Sequence, residues 1–242
     1  MRNKFDEQLD YLNKEMVEMG NLCEKVISGA IEVTMSDKDG KLAHEVLETD
    51  SEIDRKEREI ENICMKLLLR QQPVARDLRV ISSALKMISD MERIGDQAAD
   101  IVELSKYVEG SKIKNEIHLD EMSKEVIKMV TGSVDSFVSK DLYLARTVII
   151  SDDIVDNYFD DIKKKLIALI AKTDGEGETN YTVTLNEEII LPIQPGDEVG
   201  TLMIAKYLER IGDHATNIAE WVEYSILGKH DEEIDKDLDE NK

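Results

Sequence analysis

The chain has few aromatic side chains, few prolines, few cysteines and few cations. Of its 242 residues, 5% are aromatic, three are Pro and two are Cys. Lys and Arg number 31 against 53 Asp and Glu, which sets the net charge at −22. The scarcity of basic residues argues against nucleic acid, which is gripped through a basic surface. It argues equally against direct binding to an anionic membrane. No long apolar run exists. The most strongly apolar stretch, 166–171, is far too short to span a bilayer. The charged, amphipathic N-terminus is not the pattern of a secretory leader. Cys23 and Cys64 fall on apolar positions of predicted helices, as reduced core thiols do in the cytoplasm.

What is present is a repeated segment. Glu92-Arg93-Ile94-Gly95-Asp96 recurs 117 residues later as Glu209-Arg210-Ile211-Gly212-Asp213. From 92 to 103 against 209 to 220, eight of twelve positions are identical, which indicates an internal duplication. Upstream, Asp50/Asp54 align with Asp152/Asp156 at a spacing of 102, as do Leu42/Leu144, Val46/Val148 and Ile60/Ile162. The second half therefore carries about 15 extra residues. They belong in 173–198, a segment rich in Gly, Thr and Pro.

Apolar periodicity predicts helices throughout. Phe5, Leu9, Leu12, Met16, Met19, Cys23, Val26, Ala30 and Val33 alternate steps of four and three, forming a narrow heptad seam. Further helices are expected at about 41–70, 73–109, 117–138, 142–172 and 198–227. The third is placed after Pro73, because Pro suits a first helical turn. Short connections make neighbours antiparallel. The expected fold is all-α, with two pseudo-repeated antiparallel three-helix bundles. The first covers 1–112 and the second 113–228, with the insertion at about 173–198. An acidic, disordered tail is expected at 229–242. Within the insertion, Tyr181-Thr182-Val183-Thr184-Leu185 and Ile189-Ile190-Leu191 have the composition of a small hairpin.

On a helical projection of the third helix, Ala84, Met87, Met91, Ile94, Ala98 and Ile101 share one side. Glu92, Asp96, Asp100 and Glu103 lie nearly opposite. The second copy repeats this with Glu209, Asp213, Asn217 and Glu220. Like charges one turn apart destabilise a helix by a few tenths of a kcal/mol per pair. A cation would offset that repulsion. Asp50/Asp54 and Asp152/Asp156, on adjacent helices, would complete two oxygen-rich sites for a hard cation. The competing reading is a solvated acidic face, which any surface helix can present. Gly95 and Gly212 stand inside helices, where Gly costs ~1 kcal/mol against Ala. That repeated cost implies close helix approach, for packing alone or to bring the carboxylates together. Arg93 and Arg210 are simplest as partners for those carboxylates, and Trp221 as a core residue. No Glu-x-x-His stands before any of the four His, so a ferritin-like di-iron centre is not built here. His214 is an extra ligand or a polar surface residue. No phosphate loop, zinc spacing or nucleophile elbow is found.

The motif Gln72-Pro73-Val74-Ala75-x-Asp77-Leu78-Arg79 followed by Glu92-Arg93-Ile94-Gly95-Asp96 resembles the first block of the PhoU family. The stretch from Tyr207-Leu208-Glu209-Arg210 through Ile218-Ala219-Glu220 resembles the second. The resemblance implies a cytoplasmic, non-catalytic negative regulator of the phosphate-starvation response, linking a phosphate ABC transporter ATPase to a sensor histidine kinase. It implies metal (Fe, Zn, Mn or Mg) on the bundle surface, held by Asp50, Asp54, Glu92 and Asp96, and by Asp152, Asp156, Glu209 and Asp213. Asp100 and Asn217 extend the two columns. The second half has no good copy of the first block's proline segment, and Asn217 replaces an acid, so the two sites are not expected to be equivalent. A homodimer is expected, with the heptad seam packing within the bundle or against a second subunit. The alternatives are a metal-dependent enzyme using the paired carboxylates and a metal-free helical scaffold.

Overall fold

The structure is a computed structural model and describes residues 2–36, 40–71, 73–108, 111, 117–172, 181–185, 189–193 and 197–229. Six helices account for most of them: α1 Arg2–Ser36, α2 Gly40–Gln71, α3 Ala75–Ser105, α4 Leu119–Ser139, α5 Leu142–Lys172 and α6 Asp197–Leu227. Helices α1–α3 pack on one another as one bundle and α4–α6 as a second. The two bundles join along α3 against α6, the most extensive helix pairing, and along α1 against α4. The boundary expected between 112 and 113 and the tail after residue 229 lie outside the described residues.

Helix α3 begins two residues later than Pro73 suggested. Val74 is extended (φ −76°, ψ 166°) and serves as the N-cap residue. Its carbonyl accepts from Leu78 N–H at 2.9 Å. The helix also stops at Ser105, short of the expected 109, in a turn in which Tyr107 N–H bonds Leu104 O. Between α4 and α5 the chain reverses in two residues. Lys140 takes the left-handed conformation (φ 58°), and Asp141 Oδ1 accepts from Leu144 N–H at 3.1 Å. That pairing is a helix stop followed directly by a helix start. The hairpin forms as β1 Tyr181–Leu185 and β2 Ile189–Ile193, antiparallel, with Val183 opposite Leu191. Its second strand runs two residues past the expected end.

The apolar stripes read from the sequence form the core. Ala84, Met87, Met91, Ile94, Ala98 and Ile101 are all buried, as are Ile204, Leu208, Ile211, Ala215 and Ile218. Cys23 and Cys64 are buried free thiols, pushed up to about 12 by burial. The α1 seam is wider than a heptad pattern. Ile27 and Ile31 are buried beside it, because α1 meets α2, α3 and α4 at once. The seam is thus consumed within one chain and leaves none for a second subunit. Trp221 is only half-buried, edge-on to Tyr224 at 5.8 Å, with Lys86 Nζ 5.9 Å from its ring.

One polar cluster ties α1 to α2. Lys56 Nζ donates to Glu15 at 2.6 Å and to Glu18 at 3.0 Å, and Glu15 is 4% exposed. Burial alone would lower the Lys56 ammonium, but the bonds to Glu15 and Glu18 outweigh it and raise it. Lys56→Met is expected to leave Glu15 charged and buried and to cost about 3 kcal/mol in urea unfolding. Adding Glu15→Gln should recover part of that loss.

Candidate functional site

Each carboxylate column lies in the groove between two helices of its bundle, rather than on an outward face. In the first half the groove runs between α2 and α3. Gly95 makes the approach possible: a Cβ there would meet Asp50 Oδ1 at 2.7 Å and Ile53 Cδ1 at 3.2 Å. Asp50 Oδ1 is buried and has no hydrogen-bond partner among the described residues. Burial, then the charges of Asp96, Asp54 and Asp100, push the Asp50 carboxyl from 3.8 up to about 6. Glu92 is raised by burial and then by Asp96, Glu57 and Asp54. Asp96 is raised by burial and then by Asp54 and Asp100. The sequence-predicted residues are therefore brought together on one face of the first bundle.

Glu57 belongs to this group and sequence reasoning missed it. It accepts from Ser89 Oγ at 3.3 Å, and its own carboxyl is raised by burial and by Glu61 and Asp54. The signal was available in the duplication. At the two spacings, Glu57 aligns with Phe159 and Ser89 with Lys206. The second half thus replaces an acid and a hydroxyl with an aromatic ring and a cation. Lys206 Nζ sits 5.2 Å from the Phe159 ring and pairs with Glu209.

In the second groove, between α5 and α6, Asp152 is pushed from 3.8 up to about 6 by burial and then by Asp213 and Asp156. Asp213 is raised by burial and Glu209, against a lowering from Lys206. Gly212 is less crowded than its twin: a Cβ would meet Val155 at 3.3 Å and Asp152 Oδ1 at 3.6 Å. The second site carries its own lysine in the groove; in the first, Arg58 lies 3.9 Å from Asp54 and Arg93 stands beside Glu92 and Asp96.

Asp100, whose charge also bears on Asp50 and Asp96, and Asn217 stand at the α3–α6 junction. Asn217 Nδ2 donates to Asp90 at 3.2 Å, and His214 Nδ1 lies 2.9 Å from the same Asp90 oxygen. Across the same junction Tyr207 stands near Asp100, and burial followed by the charge of that carboxylate raises its phenol. Asp90 corresponds to Tyr207 and Asp100 to Asn217, so the two contacts are twins about a pseudo-twofold axis. His214 is neither an exposed surface residue nor turned to the column. Of the two arginines, Arg93 lowers Glu92 and Asp96, as a carboxylate partner should. Arg210 instead lies 5.8 Å from the Tyr207 ring.

The first groove fits a cation. It holds a buried carboxylate oxygen with no donor, and around it burial and neighbouring charges raise the carboxyls of Glu57, Glu92 and Asp96. A multivalent cation would stabilise the charged forms in place of protons. Among the described residues, no group of three or more His, Cys, Asp or Glu side chains is drawn tightly enough to hold a metal ion as it stands. The columns are open, so ligation would require side-chain rotations on fixed helices. Two concavities lie away from the columns. A groove of about 670 Å³ is lined by residues including Lys25, His44, Glu48 and Arg55, and a cleft of about 40 Å³ by Leu9, Arg76 and Phe137 among others.

Known proteins resemble this chain over most of its length. The family model described as the PhoU domain matches twice, over residues 16–105 and 119–222. The chain is 32% identical over 230 residues to the phosphate-specific transport system accessory protein PhoU homolog of Clostridium acetobutylicum, covering 94% of this chain and 96% of that protein. It is also 32% identical over 232 residues to the PhoU homolog 1 of Thermotoga maritima, covering 95% and 92% respectively. The crystal structure of PhoU from Pseudomonas aeruginosa matches with a TM-score of 0.79 at 30% identity, over 93% of this chain and 100% of that one.

Two outcomes are expected from the groove geometry. Folded Asp50 and Asp152 hold protons between about pH 4 and pH 6, where the unfolded chain has released them. Stability should therefore fall as pH rises through that window and stay lowered above it. In chelator, Asp50→Asn should melt higher than the parent above pH 6, and the difference should vanish near pH 4. Gly95→Ala should melt lower than Gly212→Ala. Both gain up to ~1 kcal/mol of helix propensity, but only the first drives a methyl into Asp50.

Proposed function

Because the chain belongs to the PhoU family, we propose that it regulates phosphate uptake as a non-catalytic adaptor in the cytoplasm. In this reading it links a phosphate ABC transporter ATPase to a sensor histidine kinase and restrains the phosphate-starvation response. The names of its relatives support the transport role: they are phosphate-specific transport system accessory proteins. No described helix is long and apolar enough to cross a membrane, so contact with a transporter would run through that transporter's own protein surface.

The observation that carries the adaptor reading is the pair of open carboxylate grooves. An active site is normally concave and excludes water. These columns lie along helix–helix grooves, away from the concavities described above. Asp50, Asp54, Glu57, Glu92 and Asp96 would hold a metal ion in the first half, and Asp152, Asp156, Glu209 and Asp213 in the second. A hard or borderline cation such as Fe, Mn, Mg or Zn suits such oxygen donors. It would neutralise the columns and so alter how a basic surface of a partner docks beside them.

The test joins metal content to partner recovery. The chain is purified from its own cells, grown in high and in low phosphate, and bound metal is measured together with co-purified transporter ATPase and kinase. Glu92→Ala/Asp96→Ala is expected to lose most of the metal from the first half and to weaken partner recovery by about tenfold. Glu209→Ala/Asp213→Ala should lose less metal, because Lys206 already occupies part of that groove. If neither pair changes metal content or recovery, the metal-tuned mechanism is wrong.

A further inference from the structure

The duplication supplies an internal control for surface residues. Helices α2 and α5 correspond at a spacing of 102, so their outward faces can be compared position by position. On α2 that face reads Lys41, Glu45, Glu48 and Glu52, all exposed. The corresponding residues of α5 are Tyr143, Thr147, Ile150 and Ile154. Tyr143 is 82% exposed, Ile150 69% and Ile154 45%. Their spacing of four, three and four places them in one stripe about 17 Å long, directly opposite the face that packs into the bundle. A solvated helix has no use for that stripe, and the twin helix establishes that charge is tolerated at every one of its positions.

The surroundings specify what would cover it. On α5 the acid beside the stripe is Asp153, which is exposed, whereas Asp152 and Asp156 turn away toward the groove with α6. The basic residue within the stripe's length, Arg146, is bound through Nη2 and Nε to Glu223 at 2.6 and 2.7 Å. The chain as a whole is at −22. A second copy laid on this face would set acids against acids, which disfavours self-pairing. The segment after residue 229 is itself mostly acidic. The complementary occupant is apolar along one face and positively charged beside it. A straight helical stripe with this spacing accepts another helix, ridge into groove.

We propose that the α5 stripe of Tyr143, Thr147, Ile150 and Ile154 docks a basic amphipathic helix of a partner protein, an assignment that rests on the adaptor reading. The apolar stripe supplies the contact, and Asp153 beside it orients the partner's cations.

The test places the photo-crosslinking residue p-benzoylphenylalanine at position 147 of the full chain in its own cells. After irradiation the adduct is mapped by mass spectrometry. The expected adduct lies in a segment of another protein with apolar residues at helical spacing and a net positive charge. Ile150→Ser/Ile154→Ser in the same chain should lower its yield about tenfold without shifting the melting temperature, since both residues are exposed. An adduct to a second copy, to this chain's own residues or to a segment without net positive charge overturns the proposal. So does an unchanged yield in the Ser variant, or no adduct. If partners still co-purify while position 147 captures nothing, the stripe assignment fails and the adaptor reading stands. If partners are recovered by neither route, both fail.

Discussion

Helices α3 and α6 must each satisfy three neighbours, and that geometric demand organises the molecule. Each buries one face in its own bundle and a second against the other. Only a third strip is left, and it faces the groove beside α2 or α5. Glu92, Asp96, Glu209 and Asp213 stand on that strip, facing Asp50 and Asp54 of α2 or Asp152 and Asp156 of α5. They are half-desolvated because the groove is narrow, and the groove is narrow because Gly95 and Gly212 let the neighbouring helix come close. The raised Asp50 and Asp152 carboxyls follow from the same packing that buries Ile94 and Ile211 one residue earlier. Core and site are therefore two sides of one helix and are not independently adjustable.

The sequence made the core legible because amphipathic periodicity reports the direction of greatest burial, and Met87, Met91, Ile94 and Ala98 point there without ambiguity. It made the repeat legible because eight of twelve matched positions in one segment survive in both copies. A single-helix projection divides a helix into inside and outside. It has no third category for a face that meets a second bundle. That is why the projection does not show that Asp100 and Asn217 also face the other bundle, nor the bond from His214 to Asp90. Glu57 and Lys206 escaped for another reason. They lie outside the repeated pentapeptide, at positions where the two halves differ, and a search for likeness passes over such residues.

Divergence between the halves is as informative as likeness. Ser89 and Glu57 in one groove become Lys206 and Phe159 in the other, so a groove that attracts cations is paired with one that partly supplies its own. On the outward faces the change runs from charge on α2 to apolar side chains on α5. Both differences leave the backbone arrangement intact, because each falls on a strip that the core does not need.

The twin contacts across the α3–α6 junction bear on the history of the chain. Each half places one junction residue against its counterpart's partner: Asp90 meets Asn217, and Tyr207 meets Asp100. Were two copies of the first half to associate in the same way, Asp90 would face Asp100 twice, acid against acid. Two copies of the second half would pair Tyr207 with Asn217 and lose the charged acceptor. Only the mixed pairing joins each carboxylate to a donor. If the ancestor was a dimer of identical halves, gene fusion freed these positions to specialise. At these positions, then, each half's polar junction residues are matched to the other half rather than to a copy of itself.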